Sequence, residues 1–229
     1  MSADRAPAGT RTPGTSSAPQ TKPAPSPTPS VALPEPGAAG EIPDTARLRQ
    51  LALQPGETAG VAEGESGSHP MHAGELRPLS PSELSAPCSA MWGLLSQRGA
   101  RAAVSQTFAT DTPGNPQVNF LASYAGAEAV YTRLRSAVAA CPSDSEDGRT
   151  VTVRYEDLDG AGFPEDTIRI RMTTTDEGST GPADVIDRVV TRVGACIADL
   201  SGLGSEPYPR LAEGPVLRQI ERLRTAQGL

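Results

Sequence analysis

Cys88 and Cys141 constrain the fold more than any other pair of residues in this chain, because each lies on the apolar stripe of a predicted helix. A predicted β-hairpin separates the two helices and turns the chain back on itself, so the helices can lie side by side. A disulfide between them would stabilise the domain by about 4 kcal/mol through loop closure. The alternative is two reduced cysteines that pack as small apolar residues. The disulfide is expected if the domain is exported, since cytosolic thiols stay reduced.

The N-terminal part of the chain predicts a spacer that precedes the folded domain. Nine of the 23 prolines lie before residue 40, and the stretch 21–29 has almost no aromatic or large aliphatic side chains. Such a segment cannot bury enough surface to offset its ordering entropy. We therefore expect residues 1–43 to form a disordered Pro/Ser/Thr/Ala-rich segment, partly polyproline. Residues 44–74 are predicted to be a short helix, capped by Asp44, and a flexible loop. The compact domain is predicted to cover 75–229.

Hydrophobic periodicity over the rest of the chain predicts groups of helices and strands. The last predicted strand is apolar on both faces, as expected for a central strand, and it contains Cys196 as a buried thiol without a partner. Consecutive strands favour antiparallel pairing, so the predicted fold class is α+β, an antiparallel β-sheet flanked by helices. The predicted helices cover 45–54, 82–95, 127–141 and 215–226, and the predicted strands cover 101–109, 117–124, 150–156, 167–174 and 185–197. Residues 113–116 are predicted to form the hairpin turn between the first two strands.

Charge and hydropathy exclude two classes of partner. The net charge of −7 and the absence of a Lys/Arg run argue against nucleic-acid binding. No apolar run approaches the length that spans a bilayer. The N-terminus lacks a signal pattern and the first cysteine is Cys88, so an exported or lipid-anchored protein would need its signal or lipobox upstream of Met1. We expect a monomer.

The two histidines predict neither a catalytic nor a metal site. His69 and His72 lie in a segment predicted to be flexible, and a His-x-x-His pair outside a helix lacks a fixed third ligand. A Gly-rich phosphate loop, a Gly-x-Ser-x-Gly elbow and a Ser-x-x-Lys motif are all absent from the sequence. We therefore expect no enzymatic activity and no cofactor.

Strand alternation points to a candidate anion-binding surface. When the apolar residues of three predicted strands face inward, five arginines face outward and could line one sheet surface. Guanidinium groups bind carboxylates and phosphates well, so an anionic component of the cell envelope is a candidate ligand. The alternative is a solvated face neutralised by neighbouring acids. The five residues are Arg154, Arg169, Arg171, Arg188 and Arg192.

Several segments between residues 70 and 227 resemble the extracellular sensor domain of PknH-type mycobacterial kinases and of actinobacterial lipoproteins that contain the same domain. The resemblance implies an antiparallel sheet flanked by helices, with a cleft that receives an extracellular ligand. It also implies one disulfide of the family type between Cys88 and Cys141, although the family often has two. The matching segments are Cys88 in its helix, residues 121–124, 134–141, 164–167 and 190–194, and the last helix with Gln219, Leu223 and Arg224.

The sequence as a whole predicts a non-catalytic, extracytoplasmic ligand-binding protein of an actinobacterial cell envelope. A cell-envelope hydrolase would require a nucleophile–base pair or a metal, and the shortage of histidine argues against it. A purely structural envelope protein is the other alternative, and a cytoplasmic location follows if no export signal precedes the chain.

Overall fold

Antiparallel strand pairing organises the part of the chain that the structure describes. The structure is a computed structural model, and it describes residues 32–37, 41–57, 68–108, 117–158, 162–163, 166–207 and 210–229. The helices are α1 (Thr45–Leu51), α2 (Pro81–Ser85), α3 (Pro87–Leu95), α4 (Ala127–Ala140) and α5 (Glu213–Gln227). The strands are β1 (His69–Pro70), β2 (Ala102–Phe108), β3 (Gln117–Ser123), β4 (Ser143–Glu146), β5 (Arg149–Asp157), β6 (Thr167–Asp176), β7 (Asp184–Val193) and β8 (Cys196–Ser205).

Within the described ranges, the strands form one eight-stranded sheet in the order β1-β2-β3-β8-β7-β6-β5-β4. Every neighbouring pair is antiparallel. This architecture confirms the predicted α+β class, and β2 and β3 confirm the predicted hairpin. The predicted turn at 113–116 and most of the predicted N-terminal spacer lie outside the described residues.

Helices cover both faces of the sheet, which divides the core into two layers. On one face α3 and α4 pack against apolar residues such as Ile168 and Ile170. On the other face α1 and α5 pack against residues such as Val189 and Leu200. Because successive side chains in a strand point to opposite faces, β7 and β8 contribute to both layers. We call these layers the α3–α4 face and the α1–α5 face.

The last predicted strand, 185–197, is wrong because the structure contains two strands there. β7 ends at Val193, and the chain turns at Gly194 and Ala195. β8 then lies between β7 and β3 and pairs with both. Gly194 has a φ of 54°, and a Cβ there would lie 2.2 Å from Oε1 of Gln227. A glycine is therefore needed at this turn. Because strands buried on both faces have continuous apolar runs, hydrophobic periodicity gave no indication of the turn between β7 and β8.

The predicted domain start at residue 75 is also wrong, because α1 belongs to the core. Leu48, Leu51 and Leu53 are fully buried on the α1–α5 face. Asp44 caps α1 as predicted, with Oδ1 accepting a hydrogen bond from the backbone N–H of Arg47 at 2.8 Å. A helix of seven residues gives a weak periodic signal, so its burial was not visible in the sequence.

Part of the predicted spacer also lies against the domain. The backbone N–H of Gly37 donates to the carbonyl of Ala226 at 2.8 Å, and the hydroxyl of Ser123 donates to the carbonyl of Pro43 at 2.6 Å. Pro43 is buried. Residues 32–37 and 41–43 are therefore ordered by contacts with the sheet and α5, which the proline content alone did not predict.

Candidate ligand-binding site

The structure contains the predicted disulfide between Cys88 and Cys141, with a Cα–Cα distance of 5.1 Å. It joins the first turn of α3 to the residue that follows α4. Pro87 occupies the first turn of α3, as predicted, where its missing N–H has no partner to lose. The disulfide therefore ties the two helices of the α3–α4 face together.

Cys196 is the remaining thiol, and it is free and buried at the start of β8. Burial raises its pKa to about 12. Since the thiolate is the nucleophilic form of cysteine, this residue stays protonated and packs as an apolar side chain. The prediction of a lone buried thiol is confirmed.

The prediction that five arginines share one sheet surface is wrong, because the strand register divides them. Arg154 pairs with Arg171 across β5 and β6, and these two lie with Arg169 on the α1–α5 face. In contrast, Arg188 is paired with Ile170, which belongs to the α3–α4 face. Arg192 lies four residues further along the same strand and shares that face.

Carboxylates already bind four of these arginines. Arg169 and Asp187 form a buried pair 3.6 Å apart, and both also bond to the backbone of Leu211. On the other face, Arg188 and Asp199 form a second buried pair, with side chains 10% and 1% exposed. Arg171 bonds to Glu206 and Arg192 bonds to Asp166. Arg154 is exposed, and no described carboxylate forms an ion pair with it.

The two histidines are exposed and lie apart from any cluster of metal-ligating residues. His69 is in the edge strand β1, and the backbone N–H of His72 donates to Glu75. Across the described ranges, no group of three His, Cys, Asp or Glu residues is close enough to hold a metal ion. In the same part of the chain, no helix combines the length and apolar composition needed to cross a bilayer.

A cleft of about 450 Å³ opens at the end of the sheet where the β7–β8 turn lies. Four parts of the chain form its walls, and two of them were predicted to be something else: residues 41–43 as part of the spacer and residues 194–195 as part of the strand 185–197. Residues 41–43 and α1 form one wall, and the start of α4 forms another. The turn at 194–195 and the end of α5 close the remaining side.

Gln227 makes the α5 wall of this cleft rigid. Its Oε1 accepts from the backbone N–H of Ala195 at 2.8 Å, and its Nε2 donates to the carbonyl of Val193 at 2.8 Å. One side chain therefore clamps both ends of the β7–β8 turn. The absence of a Cβ at Gly194 is what allows this close approach.

Charges of both signs line the cleft. Arg47 and Arg192 contribute two guanidinium groups, while Glu41 and Glu128 contribute two carboxylates. α4 begins at the cleft after Gly126, and no side chain caps its first turn. Its positive end and its first backbone N–H groups therefore face the same space as the charged side chains.

The inner wall of the cleft is buried and mostly apolar. Tyr124 is 2% exposed, and its hydroxyl bonds to Gln97 at 3.2 Å. Burial, followed by the negative charge of Asp199, raises the pKa of Tyr124. Tyr124 is therefore neutral and forms a fixed part of the wall beside Leu51.

The sequence pointed to Arg192 but not to the rest of this cleft. Its walls come from residues far apart in the chain, and the contribution of residues 41–47 depends on α1 being part of the core. The glycine at 194 inside an apolar run was the available signal, because an isolated glycine in a strand indicates a turn, a bulge or a close approach.

Comparison with known proteins gives a distant structural likeness. No family model matches the chain, and no curated protein matches it. Among solved structures, the chain is similar to the crystal structure of the extracellular domain of PknH from Mycobacterium tuberculosis. The sequence identity is 12%, the match covers 81% of this chain and 99% of that chain, and the TM-score is 0.47.

Proposed function

We propose that this protein is a non-catalytic, extracytoplasmic binding module that holds a small zwitterionic ligand in the cleft beside the β7–β8 turn. The cleft is the observation that supports this proposal most directly. It is a preformed cavity with a buried apolar wall and a few converging charged groups, which is the usual composition of a small-molecule site.

The charge pattern supports the choice of ligand class. A carboxylate would lie near Arg47 and the uncapped start of α4, because guanidinium and free backbone N–H groups both bind anions. An ammonium group would lie near the carboxylate of Glu128, in the first turn of α4. A ligand with both charges pairs with groups of both signs in the lining, whereas a dianion would be repelled by the carboxylates of Glu41 and Glu128.

The disulfide supports an extracytoplasmic location. Disulfides persist in oxidising compartments and are rare in the cytosol. Alkylation of protein recovered from its native compartment, without reductant but under denaturing conditions, should modify Cys196 alone. Recovery of three alkylated cysteines would contradict both the location and the disulfide.

The ligand proposal is tested by NMR titration of the backbone amides of Gly126 and Gly194. The probes are alanine, succinate and 1,4-diaminobutane, which represent a zwitterion, a dianion and a dication. We expect saturable shifts with alanine at both amides and weaker shifts with the other two compounds. Stronger binding of succinate or diaminobutane, or no shift with any probe, would contradict the proposed ligand class.

A matched pair of variants tests whether the cleft is the site. Ala125 and Ala129 are both exposed alanines close to the start of α4, but only Ala125 lines the cleft. Ala125→Trp should fill the opening and abolish the alanine-induced shifts, while Ala129→Trp should leave them unchanged. Equal binding by the two variants would place the ligand elsewhere.

A further inference from the structure

The opposite end of the sheet has a second concave surface, which we call the Trp92 groove. α3 and α4 cover the sheet only as far as Trp92, and beyond it the half-buried side chains of Val151, Thr174 and Ile186 form an open apolar floor. The groove has a volume of about 460 Å³. Its rim is formed by Asp144, Glu146, Asp147 and Arg149.

The strand register explains why acidic side chains lie over an apolar floor. Asp144 is paired with Val151, and Glu146 is paired with Arg149, so all four side chains project from the same side of the β4–β5 hairpin. Val151 packs against the α3–α4 layer. Asp147 and Gly148 form the hairpin turn, with φ values of 50° and 75°. The hairpin therefore holds the acidic rim at a fixed height above the floor.

Trp92 is held in place from the same hairpin. Its indole Nε1–H donates to Oδ2 of Asp144 at 2.8 Å, and the side chain is half-buried. Cys88 lies one turn before Trp92 in α3, and its disulfide partner Cys141 lies two residues before the start of β4. The aromatic wall and the strand edge are therefore connected by both a hydrogen bond and a covalent bond.

The negative charge of Glu146 and Asp147 is not compensated by an ion pair, whereas four of the five sheet arginines are paired with carboxylates. Glu146 and Asp147 are exposed, and no ion pair joins either of them to another described residue. Arg149 is already bonded to Asp176 at 2.9 Å. The net charge of −7 for the whole chain adds a long-range attraction for cations.

The strand beside the groove has a free edge. β4 is the last strand in the sheet order and pairs with β5 alone among the described strands. Apart from the carbonyl of Ser143, which lies 3.5 Å from Sγ of Cys88, its outer backbone groups are available to an additional strand. Strand addition is a common way for domains to bind extended peptides.

From these contacts we infer that the Trp92 groove binds an extended basic segment of a partner polypeptide. The segment adds to the free edge of β4 and places a lysine or arginine side chain among Trp92, Asp144 and Glu146. Aromatic rings and carboxylates both attract such cations. The positive charge of such a segment complements the acidic rim, which favours it over an anionic polymer, and the free backbone edge of β4 favours it over a small cation.

The single tryptophan of the chain provides the readout, because its fluorescence reports only on this groove. The probes are two blocked hexapeptides, one of alternating valine and lysine and the other of alternating valine and glutamate. We expect a saturable change in Trp92 emission with the lysine peptide, weakened by added salt. An equal response to the glutamate peptide, or no response to the lysine peptide, would overturn the proposal.

Charge-matched variants separate the groove from the general negative charge of the protein. The double variant Glu146→Gln, Asp147→Asn should weaken binding of the lysine peptide about tenfold. The control Glu213→Gln, Glu221→Gln removes two charges from exposed positions outside both the cleft and the Trp92 groove. Equal affinities for the two variants would show non-specific attraction and overturn the site.

A third peptide tests strand addition at β4. N-methylation of every residue of the lysine peptide removes its backbone donors on both edges and keeps its charge. We expect this peptide to lose most of its affinity. Retention of full affinity would overturn the edge-strand geometry, and since the alanine titration probes a different cleft, the outcome is independent of the proposed function.

Discussion

The two faces of the sheet hold their helices by different chemistry. On the α3–α4 face, a disulfide and a continuous apolar layer fix two helices together. On the α1–α5 face, a seven-residue helix is held in large part by polar side chains of α5 that bond to its last carbonyl groups. The comparison shows that a short helix can join a core when a neighbouring element satisfies its backbone.

The polar contacts on the α1–α5 face form a connected network. Gln219 donates to the carbonyl of Leu51 at 2.9 Å and accepts from Asn119 at 2.9 Å. Arg222 donates to the carbonyls of Gln50 and Leu51. Buried hydrogen-bonded groups of this kind specify one arrangement, because any other leaves polar atoms unpaired.

Loss of the disulfide should have the largest effect on stability. The double variant Cys88→Ser, Cys141→Ser removes the crosslink from a loop of 53 residues. We expect the free energy of unfolding to fall by about 4 kcal/mol, because the unfolded chain gains conformational freedom. Urea denaturation followed by circular dichroism measures this change.

The control for this comparison is wild-type protein treated with reductant, which should lose the same stability without any substitution. A fall of less than about 1 kcal/mol in both samples would show that apolar packing alone holds the α3–α4 face. The contrast between a covalent face and a hydrogen-bonded face would then disappear.

The second prediction concerns Glu57, whose side chain is fully buried between Arg218 and Arg222. Glu57→Gln leaves the Arg222 guanidinium, which is 3% exposed, without its counter-ion. Removing one partner of a buried ion pair costs about 3 kcal/mol. The same denaturation experiment should therefore show a loss close to that of the disulfide variant.

Glu221→Gln is the matched control, since Glu221 is an exposed partner of Arg218 and its side chain is 54% exposed. An exposed pair contributes less than about 1 kcal/mol. If the two glutamine variants were equally stable, the ion pairs at Glu57 would not be what attaches residues 50–57 to α5.

The smallest expected effect lies in the helical connection at the edge of the α3–α4 face. The side-chain hydrogen bond from Arg98, followed by those from Ser80, lowers the pKa of Glu83 well below its ordinary value of 4.5. A lowered folded pKa stabilises the protein above the ordinary pKa, and this contribution is lost as the pH falls toward the folded value.

Glu83→Gln should therefore be slightly less stable than the wild type at neutral pH, and the difference should shrink at about pH 3. Thermal melting at the two pH values measures it. Because Glu83 is solvent-accessible, solvent screening keeps the effect small. A difference that grows with acidity would contradict the assigned role of Arg98.

Particular residues show how far sequence reasoning reached. The disulfide, the β2–β3 hairpin, the cap at Asp44 and the buried Cys196 were all predicted from local pattern, and the structure contains them. The β4 strand was missed because its four residues are polar and mostly exposed. A strand without apolar alternation gives no periodic signal, so only its pairing with β5 reveals it.

The five arginines show more clearly what alternation along a strand cannot predict. Alternation within each strand correctly placed Arg169 and Arg171 together, and Arg188 with Arg192. Alternation could not show which residues of β7 share a sheet face with the arginines of β6, because a shift of one residue in register exchanges the two faces of a strand. The single arginine surface was therefore lost when the register paired Ile170 with Arg188.

The sequence by itself determined the fold class, the element types and the cysteine pair, since these follow from periodicity and spacing along the chain. Only the tertiary structure decided where charge remains uncompensated. Pairing across strands neutralised arginines that the sequence left exposed, and it gathered Trp92, Asp144 and Glu146 into one groove. Ion pairing and concavity depend on residues that are distant in the chain, so local pattern contains no information about either.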